Sequence, residues 1–170
     1  MGRAGLNGLV LLLGLWGCGY GLERKTTSLP REIRTIAIPT MDNQTLEAGI
    51  ENAFTHAMVR RFNLEGRLRV VREDRADSIL EGSIQDFSIT SISYGADGLA
   101  VQYRTEVSLG VIVRRVDTGE ILWEAPSLKE IQEFRVTSNL LTNEARKQEA
   151  IDGIARQLAE VVYDRLVNRF

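Results

Sequence analysis

Two segments with helical hydrophobic spacing enclose a central block in which apolar and polar residues alternate. The first runs from Leu46 to about Phe62 and the second from about Asn143 to Phe170. Apolar residues recur every three or four positions in both, which predicts two amphipathic helices. The apolar positions are Ile50, Ala53, Phe54, Ala57, Met58 and Phe62 in the first, and Ile151, Ile154, Ala155, Leu158, Val162, Leu166 and Phe170 in the second.

Alternation with a period of two predicts strands before and between these helices. The two longest run from about Ser78 to Tyr94 and from Leu99 to about Val113. In the second of these, odd positions are mostly apolar and even positions are polar, which is typical of a sheet buried on one side. Shorter strands are predicted over Arg31–Pro39, over Arg67–Arg72, and over Glu120–Trp123 resuming at Leu128–Val136 after a break at Pro126.

The phase of the alternation changes inside the first long strand. Leu80 and Ile84 share one parity, whereas Phe87 and Ile89 share the other. A strand changes parity only through a bulge or bend, so we predict one near Gln85. Turn residues at 95–98 and 117–119 predict hairpins that join the later strands. The order of elements predicts an α+β fold: a two-layer sandwich of a four- to five-stranded, mostly antiparallel or mixed sheet with two helices on one face.

The N-terminal segment differs from the rest of the chain. Residues 1–17 combine Arg3 with a short apolar run, which is too short to span a bilayer but has the length of a signal peptide. The only cysteine, Cys18, follows directly, in a pattern that resembles a bacterial lipobox. We therefore predict a signal peptide over 1–17, a lipidated tether over 18–30 and a single α+β domain over 31–170.

Composition limits the chemistry that this chain can perform. The formal net charge is −2, and positive and negative residues are interspersed, so nothing favours nucleic-acid binding. One cysteine excludes an intramolecular disulfide, and one histidine, His56, excludes a His-rich metal centre. His56 is predicted to face solvent on the first helix. The sequence contains no hydrolase or nucleotide-binding motif, so we expect no enzyme, no metal and no cofactor.

Several short motifs, in their order and spacing, resemble the LptE family of outer-membrane lipoproteins. They are Leu15-Trp16-Gly17-Cys18-Gly19-Tyr20, Ile36-Ala37-Ile38-Pro39, Asn43-Gln44-Thr45, His56-Ala57, Ala76-Asp77-Ser78-Ile79-Leu80-Glu81-Gly82, Asp117-Thr118-Gly119-Glu120-Ile121-Leu122-Trp123 and Ala150-Ile151-Asp152-Gly153-Ile154-Ala155. The resemblance implies a non-catalytic lipoprotein, acylated at Cys18 and facing the periplasm. Such a protein plugs the LptD β-barrel, assists its assembly and helps deliver lipopolysaccharide to the outer leaflet. Two alternatives stay open: a secretion-type lipoprotein similar to the CsgG family, and a lipid-anchored hydrolase.

Four residues are candidates for contacts within such an assembly. The long hairpin is predicted to project, so Tyr94 and Asp97 at its tip are candidates for contact with a protein partner. Arg104 and Arg114 lie on and beyond the polar face of the second long strand. Because arginine binds phosphate through paired, charge-assisted hydrogen bonds, both are candidates for contact with lipopolysaccharide.

Overall fold

A mixed β-sheet with two helices on one face forms residues 29–167, the part of the chain that the computed structural model describes. The strands are β1 (Thr35–Ala37), β2 (Asp42–Asn43), β3 (Arg69–Val70), β4 (Ser78–Tyr94), β5 (Ala100–Arg115) and β6 (Ile121–Arg135), and the helices are α1 (Ile50–Glu65) and α2 (Leu140–Val167). The predicted α+β sandwich is confirmed. The predicted signal peptide, most of the predicted tether and Cys18 lie outside the described residues.

The sheet has two halves of different character. Its strand order is β3-β1-β4-β5-β6, with β2 paired to β4 beside β1. The short strands β1, β2 and β3 pair in parallel, and β4, β5 and β6 form a long antiparallel meander. The parallel half requires a crossover, which α1 supplies between β1 and β3.

The hydrophobic core lies between the sheet and the helices. The predicted apolar stripes pack there, together with the inward residues of the strands; Ala53 and Ala57 are only partly buried, and Phe170 lies outside the described residues. The largest fully buried side chains are Phe54, Phe62, Ile36, Ile50, Met58, Leu68, Leu80, Ile84, Leu109, Ile151, Ile154 and Leu158. The two helices also contact each other, and the ring of Phe62 meets that of Tyr163 edge-on, with centroids 5.1 Å apart. Within residues 29–167, no helix covers the opposite face of the sheet.

The first helix begins four residues later than the sequence predicts. Gly49 precedes it with a φ of +84°, a left-handed conformation that glycine adopts without steric cost. The preceding loop is instead organised by Asn43, whose side-chain oxygen accepts hydrogen bonds from the backbone N–H and the hydroxyl of Thr45. The amide group of Asn43 donates to the carbonyl oxygen of Glu47. These local bonds compete with helix formation and delay its start.

The bulge predicted near Gln85 is present. The β4–β5 register shifts between Ile84 and Asp86, which turns Phe87 to the face that carries Ile84. The break predicted at Pro126 is wrong, because β6 continues through this residue with a second register shift. β6 is an edge strand, where a missing N–H is tolerated at a bulge.

Candidate functional site

The long meander extends beyond the cover of the helices. Its longest strand, β4, has 17 residues and therefore spans about 55 Å. Burial along β4 falls off after Ile84, and burial along β6 falls off after Leu128. We call residues 86–106 and 129–135, the outer parts of the three strands with their connecting turn, the distal meander. Its length beyond the core makes it the candidate functional site.

The turn at the end of the distal meander is held by its own backbone. The N–H of Gly95 donates to the carbonyl oxygen of Leu99 over 2.8 Å, and Gly98 takes a positive φ of 77°. The carboxylate of Asp97 accepts a hydrogen bond from the N–H of Leu99. Asp97 therefore stabilises the turn, whereas Tyr94 is 63% exposed and available to a partner.

Exposed apolar side chains accompany Tyr94 at this end of the molecule. Leu99 and Val101 follow the turn and lie in solvent, although the alternation predicted a buried face there. Leu140 and Leu141, at the start of α2, are about 80% exposed. They lie at the same end because β6 ends at Arg135, opposite Gln102, a few residues before α2 begins. Exposed apolar side chains that lie together often mark an interaction site. The exposure of Leu140 and Leu141 was not predicted from the sequence.

The pair was missed because α2 begins earlier than predicted. The hydrophobic spacing predicts a helix from about Asn143, but the side-chain oxygen of Asn139 accepts a hydrogen bond from the N–H of Thr142, over 3.0 Å. This is an N-cap, and it starts the helix at Leu140. The sequence signal for this helix start is Asn139, a residue type favoured at N-caps, directly before Leu140 and Leu141.

The face of the meander opposite the helices carries rows of opposite charges. Arg104 donates through Nε and Nη2 to one carboxylate oxygen of Glu133, at 3.2 and 2.9 Å. Lys129 and Glu106 form the next pair along the same two strands, at 3.2 Å. Arg114 pairs with Glu81 at 3.1 Å, near the other end of β5. The open face is therefore polar, and its positive and negative side chains largely balance each other.

The two candidate arginines do not form one site. Arg104 and Arg114 share the open face, but ten residues of β5 separate them, which corresponds to about 33 Å. The two cannot hold the same phosphate group. Arg104 lies within the distal meander and its side chain is 48% exposed, whereas Arg114 lies at the opposite end of the strand.

The described residues offer no arrangement typical of catalysis. His56 is exposed on α1, as predicted, and residues 29–167 contain no group of three or more His, Cys, Asp or Glu side chains placed to hold a metal ion. Asp77 has its pKa lowered chiefly by the hydrogen bond from the backbone N–H of Arg34, with further bonds from Thr35. That carboxylate fastens β1 to the start of β4 and is structural. Neither α1 nor α2 has the length and apolar content to cross a membrane.

Comparison with known proteins gives a family match. The family model described as LptE, lipopolysaccharide-assembly, matches residues 33–166, which is most of the chain. No curated protein sequence matches the chain.

Solved structures share the fold at low sequence identity. A PelC dodecamer from Paraburkholderia phytofirmans is 15% identical, with a TM-score of 0.53 over 84% of this chain and 95% of that one. Lipoprotein B from Nitrosomonas europaea, described as uncharacterized, is 11% identical, with a TM-score of 0.53 over 85% and 87%. The rare lipoprotein B from Shewanella oneidensis is 11% identical, with a TM-score of 0.51 over 77% and 92%. At these identities the likeness shows the fold alone.

Proposed function

The chain belongs to the LptE lipopolysaccharide-assembly family, and from this membership we propose a specific role. The protein is a non-catalytic lipoprotein of the outer membrane that plugs an LptD-type β-barrel, assists its assembly and helps lipopolysaccharide reach the outer leaflet. The observation that carries the proposal is the family match across nearly the whole folded domain.

The surface chemistry of the meander supports a plug. A barrel lumen is lined with polar side chains, and the open face of this sheet presents paired charges with a small net charge. Paired charges meet a polar wall at a smaller desolvation cost than isolated charges would. Five exposed apolar side chains instead lie around Tyr94 and the start of α2, at the end of the meander, whereas others such as Leu46 and Leu64 lie elsewhere on the surface. We assign this end to contact with the barrel.

The proposed anchor is a lipid at Cys18. Signal cleavage before Cys18 makes this residue the N-terminus, and acylation there attaches the chain to the membrane. Each buried methylene of an acyl chain contributes about 0.8 kcal/mol, so two or more chains hold the protein stably. From Cys18 to Leu29, where the described fold begins, the chain has eleven residue steps. This length reaches at most about 40 Å.

Site-specific photo-crosslinking tests the contact with the barrel. Crosslinking residues introduced at Tyr94 and Asp97 are expected to capture an outer-membrane barrel protein in cells, because both positions lie at the end of the hairpin. A crosslinker at His56, exposed on α1, serves as the comparison. Capture at His56 with silence at both hairpin positions would show that another surface faces the barrel.

A further inference from the structure

A hollow opens at the end of the domain opposite the hairpin turn, where the described chain begins. Its volume is about 380 Å³, and the buried residues Ile33 and Leu68 are part of its lining. The lining residues are Leu29, Pro30, Arg31, Ile33, Arg34, Arg67 and Leu68. We call this the proximal hollow. It combines three guanidinium groups with four apolar side chains and contains no carboxylate.

The arginines of the proximal hollow keep their positive charge available. Arg31 and Arg34 are exposed, and among the described residues neither side chain comes within ion-pair distance of a carboxylate, although the charge of Arg34 acts on the nearby carboxylate of Asp77. Arg67 is positioned by a hydrogen bond from Nη1 to the carbonyl oxygen of Val167, at the end of α2. The carbonyl has no formal charge, so the guanidinium of Arg67 keeps most of its positive charge, which only the negative end of the α2 dipole offsets.

Glu32 and Asp77 carry the carboxylates near the lining residues, and both already accept hydrogen bonds. Glu32 pairs with Arg115 at 3.1 Å, on the side of the β5–β6 turn. Asp77 accepts its hydrogen bonds from the backbone N–H groups of Arg34 and Thr35, both at 2.9 Å. Neither carboxylate lines the hollow, although Asp77 lies next to the backbone of Arg34 and partly offsets its charge. The local charge around it is therefore positive, although the whole chain is slightly acidic.

This combination selects a class of ligand. Guanidinium groups bind phosphate oxygens in pairs and with a preferred geometry. The apolar lining residues beside these arginines favour a phosphate that carries hydrocarbon, rather than a fully hydrated inorganic ion. A phosphodiester bonded to a glycerol ester has both parts.

The position of the hollow indicates which phosphodiester is within reach. Leu29 and Pro30 line it and directly continue the segment that leads back to Cys18. We propose that the proximal hollow binds the phosphate of an anionic phospholipid in the leaflet that holds the acyl anchor. The proposal rests on the anchor described under the proposed function, and on no other part of it. The tether keeps the local lipid concentration high, so that even a weak site is filled.

The consequence is a fixed orientation of the domain. An acyl anchor alone would leave the domain free to rotate, whereas a second contact at the proximal hollow holds that end at the membrane surface. The distal meander, at the far end of the long strands, then points away from the headgroups bound there.

A titration of the acylated chain in non-ionic detergent tests the proposal. Dihexanoyl-phosphatidylglycerol is added below its micelle concentration, and binding is followed by calorimetry. Each basic residue near an anionic lipid strengthens association about fivefold, so Arg31→Gln with Arg34→Gln is expected to weaken binding about 25-fold. Arg60→Gln with Arg156→Gln removes the same charge from exposed helix positions and is expected to leave binding unchanged. Both double variants should melt within a few degrees of the parent, as surface substitutions do.

Three ligands in separate titrations distinguish the sources of phosphate. Dihexanoyl-phosphatidylcholine, which has no net charge, is expected to bind at least tenfold more weakly. Inorganic phosphate that competes with the lipid at equal concentration would make the hollow a site for free phosphate and overturn the proposal. The proposal would also be overturned if lipopolysaccharide displaced the lipid and bound more weakly to the Arg31→Gln, Arg34→Gln double variant. If both double variants lost the same affinity for the lipid, net charge alone would explain the effect, and the proposal would be overturned.

The outcome is separable from that of the proposed function. No barrel is present in the titration, so an absence of phosphatidylglycerol binding removes the headgroup site and leaves the partnership with a barrel standing. An unacylated Cys18 would be seen in the mass of the purified chain before any titration begins.

Discussion

At the scale of single residues, Arg104 is the candidate whose chemistry depends most on its neighbour. Its guanidinium is held by Glu133, which also accepts a hydrogen bond from Gln102. A phosphate must compete with this carboxylate. Arg104→Glu is expected to weaken binding of lipopolysaccharide about tenfold, the effect of losing a hydrogen bond to a charged group. Glu133→Gln frees the arginine and should strengthen binding.

Binding of purified lipopolysaccharide at moderate salt measures both variants, with Arg156→Glu as the control for net charge. The pair is exposed, so stability should change by less than about 1 kcal/mol in each. Unchanged binding in Arg104→Glu would remove this residue from any lipopolysaccharide contact. Weaker binding in Glu133→Gln would show that the ion pair itself, rather than free Arg104, is needed.

The sequence predicted single residues well where only local pattern mattered. Tyr94 is exposed at a hairpin and His56 faces solvent, as the alternation and the helical spacing indicated. The partner of Arg104 was beyond prediction, because it depends on the register between β5 and β6, which no local pattern contains. Leu140 was missed for a different reason: its exposure follows from where α2 begins.

At the scale of elements, two bulges lie at the same level on either side of Gly110 in β5. Gln85 in the β4 bulge donates its side-chain N–H to the carbonyl oxygen of Pro126 in the β6 bulge, over 2.9 Å. This bond passes above Gly110, where a Cβ would meet the side-chain amide of Gln85 and lie 3.1 Å from the carbonyl oxygen of Pro126. The missing side chain of Gly110 is what lets the two bulges join across the central strand.

Gly110→Ala should therefore destabilise the domain by about 1–3 kcal/mol, the usual cost of overpacking. Gln85→Ala removes the nearer clash, so the double variant should lose less than the sum of the two single losses, by at least about 0.5 kcal/mol. Denaturant unfolding of the four proteins measures this difference. Strict additivity would show that Gln85 does not occupy the space above Gly110.

Among the long strands, β4 and β5 have nearly the predicted bounds, whereas β6 was predicted with a break that is absent. The bounds of β4 and the bulge within it follow from the alternation of apolar residues, because a change of parity has few structural solutions. β2 has only two residues and pairs through its backbone with β4, so it has no hydrophobic pattern of its own. The break predicted at Pro126 is wrong because an edge strand tolerates a proline. The edge position of β6 depends on the whole fold and cannot be read from local sequence.

At the scale of the whole molecule, we propose that the two ends of the domain have different roles. The proximal end carries arginines and continues into the segment that leads to Cys18, and the distal end carries exposed apolar side chains. Cys18→Ser should leave the chain unprocessed or free of the membrane, because an acyl group can no longer be attached. Mass spectrometry of the membrane fraction reads this directly, and an intact, unmodified Cys18 in mature membrane-bound protein would contradict the anchor.

The most direct test of the central claim is native mass spectrometry of the complex purified in detergent from outer membranes through a tag on this chain. We expect one copy of this chain bound to one copy of a large outer-membrane β-barrel protein, since a plug fills a single lumen. A ring of identical copies of this chain, or a chain that is purified without any barrel, would contradict it.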